Sequence, residues 1–277
     1  MTGRFEIDMN EVQRREMSIE SIAARAAALR QLHSGPNILV LPNAWDAASA
    51  RAFEKAGFPA IATTSGGVAN ALGFEDHEGA PAAEMSAAAS RIAHAVDIPV
   101  TVDFEAGYGR AAAEIAHALI ASGAAGCNLE DSDHQGGAGL VDAERQAEHL
   151  AAVKAALRAE GAELVLNARV DVFVQRIGTP EEQLAEGLRR ARLYHEAGAD
   201  CIYPILLSDE AMIAEFVRAV GVVNVNIRRG GSLSVECAAA LGVRRVTYAT
   251  SIFREAMTFV EGVAGDVRAM TVAAHGR

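Results

Sequence analysis

The segment PVTVDFEAGYG, residues 99–109, reads as a short buried strand that runs out in two acids, Asp103 and Glu105, before a bend at Gly107-Tyr108-Gly109. Two neighbouring stretches end in the same manner. CNLEDSD, residues 127–133, brings Glu130 and Asp131 to a strand end, and LNARVD, residues 166–171, brings Arg169 to another. In parallel α/β folds the C-terminal strand ends form the floor of the ligand site. Acids and an arginine gathered there point to a metal-assisted enzyme acting on an anion.

On either side of these strands the chain alternates apolar β-type runs with amphipathic helices. Strands are expected at 37–44, 60–65, 99–104, 126–130, 163–169, 199–204, 222–227 and 244–249, each short and rich in Val, Ile or Leu. Helices are expected near 46–57, 82–96, 112–123, 142–160, 180–197, 209–220, 232–241 and 251–270, after an extra N-terminal helix near 18–34. Thr179 before Pro180 and Glu182 reads as an N-cap with proline at the first helical position. Eight such units close most naturally into a (β/α)8 barrel of the TIM type, a single domain over 1–277. A doubly wound open sheet is the alternative, but no GxGxxG follows the first strand.

Composition narrows the function. No run approaches the roughly 18 uninterrupted apolar residues of a membrane span, and residues 1–17 lack the basic and apolar regions of a secretion signal. A cytoplasmic protein without a membrane partner is expected. The formal net charge of -11 argues against nucleic acid as partner, though a local basic pocket could still hold a small anion. Cys127, Cys201 and Cys237 are widely spaced and show no CxxC pairing, as reduced thiols would. Lys55 and Lys154 are the only lysines, and both fall on expected helices. Schiff-base chemistry needs a lysine in the site, so a carbanion would have to be stabilised by a metal or by arginine.

Asp103 and Glu105, two apart, share one side if the strand includes both, and like charges so placed call for a cation. Hard oxygen donors favour Mg2+, with Mn2+ as the alternative, over zinc. Glu130 ends the next strand; Asp131, of opposite parity, faces away or caps. Arg169 either pairs with Glu130 or clamps a carboxylate, or does both in turn. Ser65-Gly66-Gly67 ends the second strand, as an oxyanion cradle or as a turn, and the loop beyond it carries Asp76. RRGGSLS at 228–234 reads either as a phosphate cup or as a loop in which Ser232 caps the next helix. The glycine-rich loop at 132–141 reads as a lid or as a surface loop. Asp133 and His134 are its only side chains suited to proton transfer near neutral pH.

In order along the chain, SGG at 65–67, Asp76, DFEAGYG at 103–109, LED at 129–131 and AR at 168–169 resemble the isocitrate lyase and phosphoenolpyruvate mutase superfamily, with the likeness running from Leu41 to Ala256. The resemblance implies that Asp103 is the direct Mg2+ ligand, with Asp76, Glu105 and Glu130 holding its water shell. It also implies that Ser65, Gly66 and Gly67 grip an α-keto carboxylate, that Arg169 neutralises an enolate, and that Asn226 lies near the substrate. A homo-oligomer, dimer or tetramer, is implied too, with the last helix exchanged between subunits.

The chain departs from that family in the loop after Glu130. Lyases carry a KxCGH-type segment there whose cysteine supplies a proton, and mutases carry lysine and asparagine; this chain has Ser132-Asp133-His134-Gln135-Gly136-Gly137-Ala138-Gly139. Pro204 is followed by Ile205 where lyases have Glu. The reading that results is a Mg2+-dependent carbon–carbon lyase acting through an enolate on a small α-keto or α-hydroxy di- or tricarboxylate, methylisocitrate-lyase-like or oxaloacetate-decarboxylase-like. The alternatives are phosphorus–carbon chemistry on phosphonopyruvate, and a keto-acid-binding barrel without efficient catalysis.

Overall fold

The computed structural model describes residues 17–137 and 139–275. The expectation of no leader at residues 1–16, and Ala138 of the 132–141 loop, lie outside the described residues. The strands are β1 (Leu39–Leu41), β2 (Asn43–Ala44), β3 (Ile61–Thr63), β4 (Val100–Asp103), β5 (Gly126–Glu130), β6 (Val165–Val170), β7 (Cys201–Pro204), β8 (Asn224–Asn226) and β9 (Arg245–Thr247). The helices are α1 (Ile19–Ser34), α2 (Ala47–Lys55), α3 (Ser65–Leu72), α4 (Ala82–Ala93), α5 (Ala112–Ser122), α6 (Ala143–Ala159), α7 (Val172–Gln175), α8 (Pro180–Glu196), α9 (Glu210–Val220), α10 (Val235–Ala240) and α11 (Ser251–His275).

All strand pairings between named strands are parallel, and they form two ladders, β2-β3-β4-β5-β6-β7 and β1-β9-β8. The first expected strand is split into β1 and β2 at Pro42, which has no N–H to give a ladder. Asn43 spans this seam. Its Nδ2 donates to the Thr63 carbonyl at 2.8 Å, and its Oδ1 accepts the Tyr248 N–H at 2.8 Å. At the other seam a bridge pairs Ile202 of β7 with Val223, next to β8. The two ladders thus trace a ring of eight strand positions with helices outside, which is the TIM-type barrel.

Every expected helix is present. Thr179 caps α8 in a reciprocal box with Glu182, with Pro180 at its start. Ser234, not Ser232, caps α10 by accepting the Cys237 N–H at 3.1 Å, because the Gly230-Gly231 bend delays the helix. Two helices were not expected: α7, and α3, which begins at Ser65 itself. The SGG segment is therefore the first turn of a helix capped by Thr64 rather than a free turn. Cys127, Cys201 and Cys237 are free thiols, the first two buried in the barrel wall.

Helix α1 closes the N-terminal end of the ring. Arg25 donates to the carbonyls of Ala93 and Val96, and Arg244 to that of His33. His33 is buried, its Nδ1 set on the Leu29 carbonyl at 2.8 Å. Burial, and then the nearby Arg245 charge, push its pKa down to about 4. A histidine kept neutral in the fold but free to protonate when unfolded stabilises fully above the unfolded pKa near 6.5. That contribution is lost as pH falls toward 4. The drop in melting temperature between pH 7 and pH 4.5 should be smaller in His33→Phe than in wild type, corresponding to about 3 kcal/mol at most; equal drops would show that His33 is not the acid-sensitive group.

Candidate active site

The strand register brings the acids together. Asp103 stands beside Asn128, and Glu130 beside Arg169, which in turn stands beside Tyr203. A cleft of about 190 Å3 opens at these C-terminal ends, lined by Ser65, Asp76, Asp103, Glu105, Glu130, Arg169 and Asn226 among others. All of the residues read from the sequence as metal ligands lie in that lining. Gly66 and Gly67 are buried directly behind Ser65.

Asp103 accepts the Ser65 N–H on Oδ2 at 3.3 Å, while its Oδ1 is buried with no partner. Asp76 Oδ1 is likewise buried and unpartnered. Gly66 permits this approach: a Cβ there would lie 2.6 Å from Asp76 Oδ2. Glu105 reaches the cleft by another route than the one expected. β4 ends at Asp103, and Glu105 sits beyond it with a φ of 49°, so a turn rather than strand parity aims its carboxylate. The Glu78 N–H at 2.7 Å and the Tyr108 hydroxyl hold that carboxylate, and burial pushes its pKa up to about 7.

Arg169 both pairs and clamps. Its Nε and Nη2 each donate at 2.7 Å to Asp171, and Nη1 forms an ion pair with Glu130. Asp171 was not singled out in the sequence, although it lies two residues beyond Arg169 and hence on the same side of an extended chain. Asp131 faces away as expected, accepting from Tyr194 at 2.7 Å and Arg190 at 3.0 Å. Asn226 lines the cleft, with its Oδ1 taken by the Leu206 N–H at 2.8 Å.

The loop after β5 folds back on itself through an antiparallel bridge between Ser132 and Leu140. Asp133 is spent on this loop, accepting the N–H groups of Gln135 and Gly136. His134 turns inward, its Nε2 2.5 Å from Glu130 Oε1 and its ring 5.6 Å from that of His77. The bond to Glu130, working against desolvation, raises the His134 pKa above its ordinary value. Burial drives the Glu130 carboxyl upward against the pull of Arg169. Gln135 donates to Glu78 at 2.9 Å, so the loops after α3 and β5 meet beside the cleft.

A larger cleft, of about 440 Å3, lies near the N-terminal ends of β6 and β7. Its cations are engaged by its own acids: Arg30 and Lys154 by Asp200, and Arg158 by Glu163. Among the described residues no three His, Cys, Asp or Glu side chains already converge as a metal cage. The two unpartnered aspartate oxygens fit instead an ion held directly by one carboxylate and otherwise through water, as Mg2+ often is.

A parallel barrel with its charged cleft at the C-terminal strand ends is the architecture of a large class of enzymes. Residues 29–268 match the phosphoenolpyruvate phosphomutase family, and the chain belongs to it. It is 30% identical over 222 residues to 2-methylisocitrate lyase of Bacillus subtilis (strain 168), spanning 77% of this chain and 69% of that protein. The fold superposes on oxaloacetate acetylhydrolase in complex with its product oxalate with a TM-score of 0.79 at 26% identity, covering 89% of this chain and 87% of that one. A chain from Burkholderia cenocepacia J2315 with a provisional phosphonomutase description gives a TM-score of 0.81 at 37% identity, covering 87% and 99%.

Removing Asp171 would leave the buried Arg169 with half of its fork empty. Asp171→Ala should lower stability by about 3–5 kcal/mol in urea denaturation at pH 7. A loss under about 1 kcal/mol, the range of exposed pairs, would show that the clamp is not structural.

Proposed function

We propose that this protein is a Mg2+-dependent carbon–carbon lyase acting on a small α-keto or α-hydroxy di- or tricarboxylate. The observation that carries the reading is the pair of buried, unpartnered oxygens on Asp103 and Asp76 in the same cleft as Arg169. Asp76, Asp103, Glu105 and Glu130 line the cleft, and Asp171 backs Arg169; together these acids outnumber the cleft's three arginines, Arg169, Arg228 and Arg254, so a divalent cation balances the site. Asp103 would hold it directly, with Asp76, Glu105 and Glu130 on its water shell, and Mn2+ could replace Mg2+. When bound, such an ion supplies Lewis acidity toward the oxygen of the reacting acid.

The remaining work falls to the chain. Ser65 and Gly67 already donate their N–H groups to Asp103 and Thr64, which leaves the Ser65 hydroxyl and the Gly66 N–H at the start of α3 for a substrate carboxylate. Of the five N–H donors of a guanidinium, Arg169 commits two to Asp171, while its Nη1 stands in an ion pair with Glu130. The donors that remain are held rigidly and can meet negative charge as the carbon–carbon bond breaks and an enolate develops. His134, bonded to Glu130, is placed to return a proton to the carbanion carbon, the task given to a loop cysteine in related lyases. Phosphorus–carbon chemistry is the second reading, favoured by the provisional phosphonomutase description at 37% identity.

The free thiols suit a cytoplasmic location. Helix α11 presents Phe259, Val263, Val267 and Met270 to solvent along one side. This apolar face supports a homo-oligomer, tetrameric in our reading, in which the helix is exchanged with a neighbour. Among the described residues no helix is long and apolar enough to cross a membrane.

Wild-type protein should bind oxalate in calorimetry only with Mg2+ or Mn2+ present, and Asp103→Ala should abolish that binding while keeping the circular dichroism of the parent. Oxalate binding that survives chelation, or persists in the variant, would sink the metal assignment. A screen of oxaloacetate, methylisocitrate, isocitrate and phosphonopyruvate then separates carbon–carbon cleavage from phosphate release.

For His134→Ala the expected result is turnover reduced about a hundredfold or more, with metal-dependent oxalate affinity nearly unchanged. Turnover equal to the parent would remove His134 from the mechanism.

A further inference from the structure

Arg245 is a fully buried cation one layer beneath the cleft. It begins β9 and does not line the cleft, whereas Thr247, two residues further along the same side of the strand, does. Its only side-chain hydrogen bond among the described residues runs from Nη2 to Asn128 Oδ1 at 3.3 Å, and Asn167 Nδ2 donates to the same oxygen at 2.8 Å. Asn167 alone would not decide how the Asn128 amide is turned, because Asn167 carries both a donor and an acceptor and can pair with either edge. Arg245 decides it. A guanidinium has donors and no acceptor, so the atom facing it has to be the amide oxygen.

The amide nitrogen is thereby left for the other edge. Asn128 Nδ2 has no hydrogen-bond partner among the described residues, and unlike Asp103 Oδ1 it is not sealed in protein, since it opens on the cleft that Asn128 lines. The register puts this donor where the head of a ligand would come to rest. Asn128 stands beside Asp103 of β4 and one same-side step before Glu130, whose neighbour on β6 is Arg169. The residue is only 6% exposed, and a donor held in so dry a place is worth more toward an anionic oxygen than one in water. Being uncharged, it neither displaces a cation nor neutralises Asp103.

We infer that Asn128 is a further substrate-binding residue, its Nδ2 donating to an oxygen of the acid head held beside Asp103, and that Arg245 is the positioning residue that keeps this donor turned toward the cleft. The inference rests on the proposed reading of the cleft as a metal-dependent acid site, and adds a neutral donor to the charged groups already assigned there.

In a crystal structure of wild type with Mg2+ and oxalate, an oxalate oxygen should lie about 2.7–3.2 Å from Asn128 Nδ2. In calorimetry at saturating Mg2+, Asn128→Ala should weaken oxalate about tenfold or more. Arg245→Met, which keeps a long stem but removes the donor facing Asn128, should weaken oxalate about threefold or more in the wild-type background and have no further effect in Asn128→Ala. A general loosening of the barrel would instead add its loss in both backgrounds. Should Arg245→Met not fold, Arg245→Lys, which keeps the buried charge but loses the planar fork, takes its place in the same comparison. An oxalate bound beyond hydrogen-bond reach of Asn128, or parental affinity in folded Asn128→Ala, would overturn the role of Asn128, and equal losses in the two backgrounds would overturn that of Arg245. If wild type binds no oxalate with Mg2+ present, the acid-site reading falls and this inference with it; if wild type binds and the variants match it, this inference alone falls.

Discussion

Much of the cleft depends on one guanidinium. Arg169 is buried between Glu130 on the neighbouring strand and Asp171 beyond its own, and a buried charge of this kind is tolerated only with its partners in place. The constraint spreads outward. The Asp171 N–H binds Asp131 at 2.8 Å, and Asp131 in turn accepts from Tyr194 and Arg190 of α8. Arg190 also donates to the Val141 carbonyl at 2.8 Å, and Ser132 donates to Asp171 at 2.7 Å. The ends of β5 and β6, both stems of the 132–141 loop and the flank of α8 therefore form one polar network. His134 is presented to Glu130 from a loop whose stems are anchored to this network.

The alternation of apolar runs and amphipathic helices was legible because each strand is covered by helices and each helix must bury one face. The strand parity of the site was legible only in part. Thr101 and Asp103, Asn128 and Glu130, Asn167 and Arg169 are same-side pairs two residues apart, while Val102, Leu129 and Ala168 between them are buried core. Asn167 donates to Asn128 at 2.8 Å, and Arg245 reaches the same oxygen at 3.3 Å. Charged strand ends are thus the upper members of polar columns. Extending the column that holds Arg169 by one step arrives at Asp171.

What sequence pattern missed lies where the backbone leaves regular structure. Glu105 and Tyr108 have φ values of 49° and 59°, conformations set by the turn and the hydrogen bonds around Glu78 rather than by any period in the sequence. Asp133 was paired with His134 as a proton carrier because the two adjoin in sequence. The fold divides them, tying the aspartate to the loop backbone and turning the histidine to Glu130. The Thr64 cap makes a helix of a glycine pair that by composition alone suits a turn.

The break at Pro42 bears on the order in which the ring is assembled. Strands β2 to β7 each pair with the next in sequence, so this part of the wall can grow step by step as the chain lengthens. β1 cannot. Its partner is β9, with Leu39 opposite Arg245, and loop closure over so long a span comes late and slowly. Until then β1 has an open edge beside the growing sheet, and during synthesis that edge is a place where a second nascent chain could pair by mistake. Its three-residue length limits the hazard, and Pro42 denies any intruding strand an N–H at the point where the two ladders part.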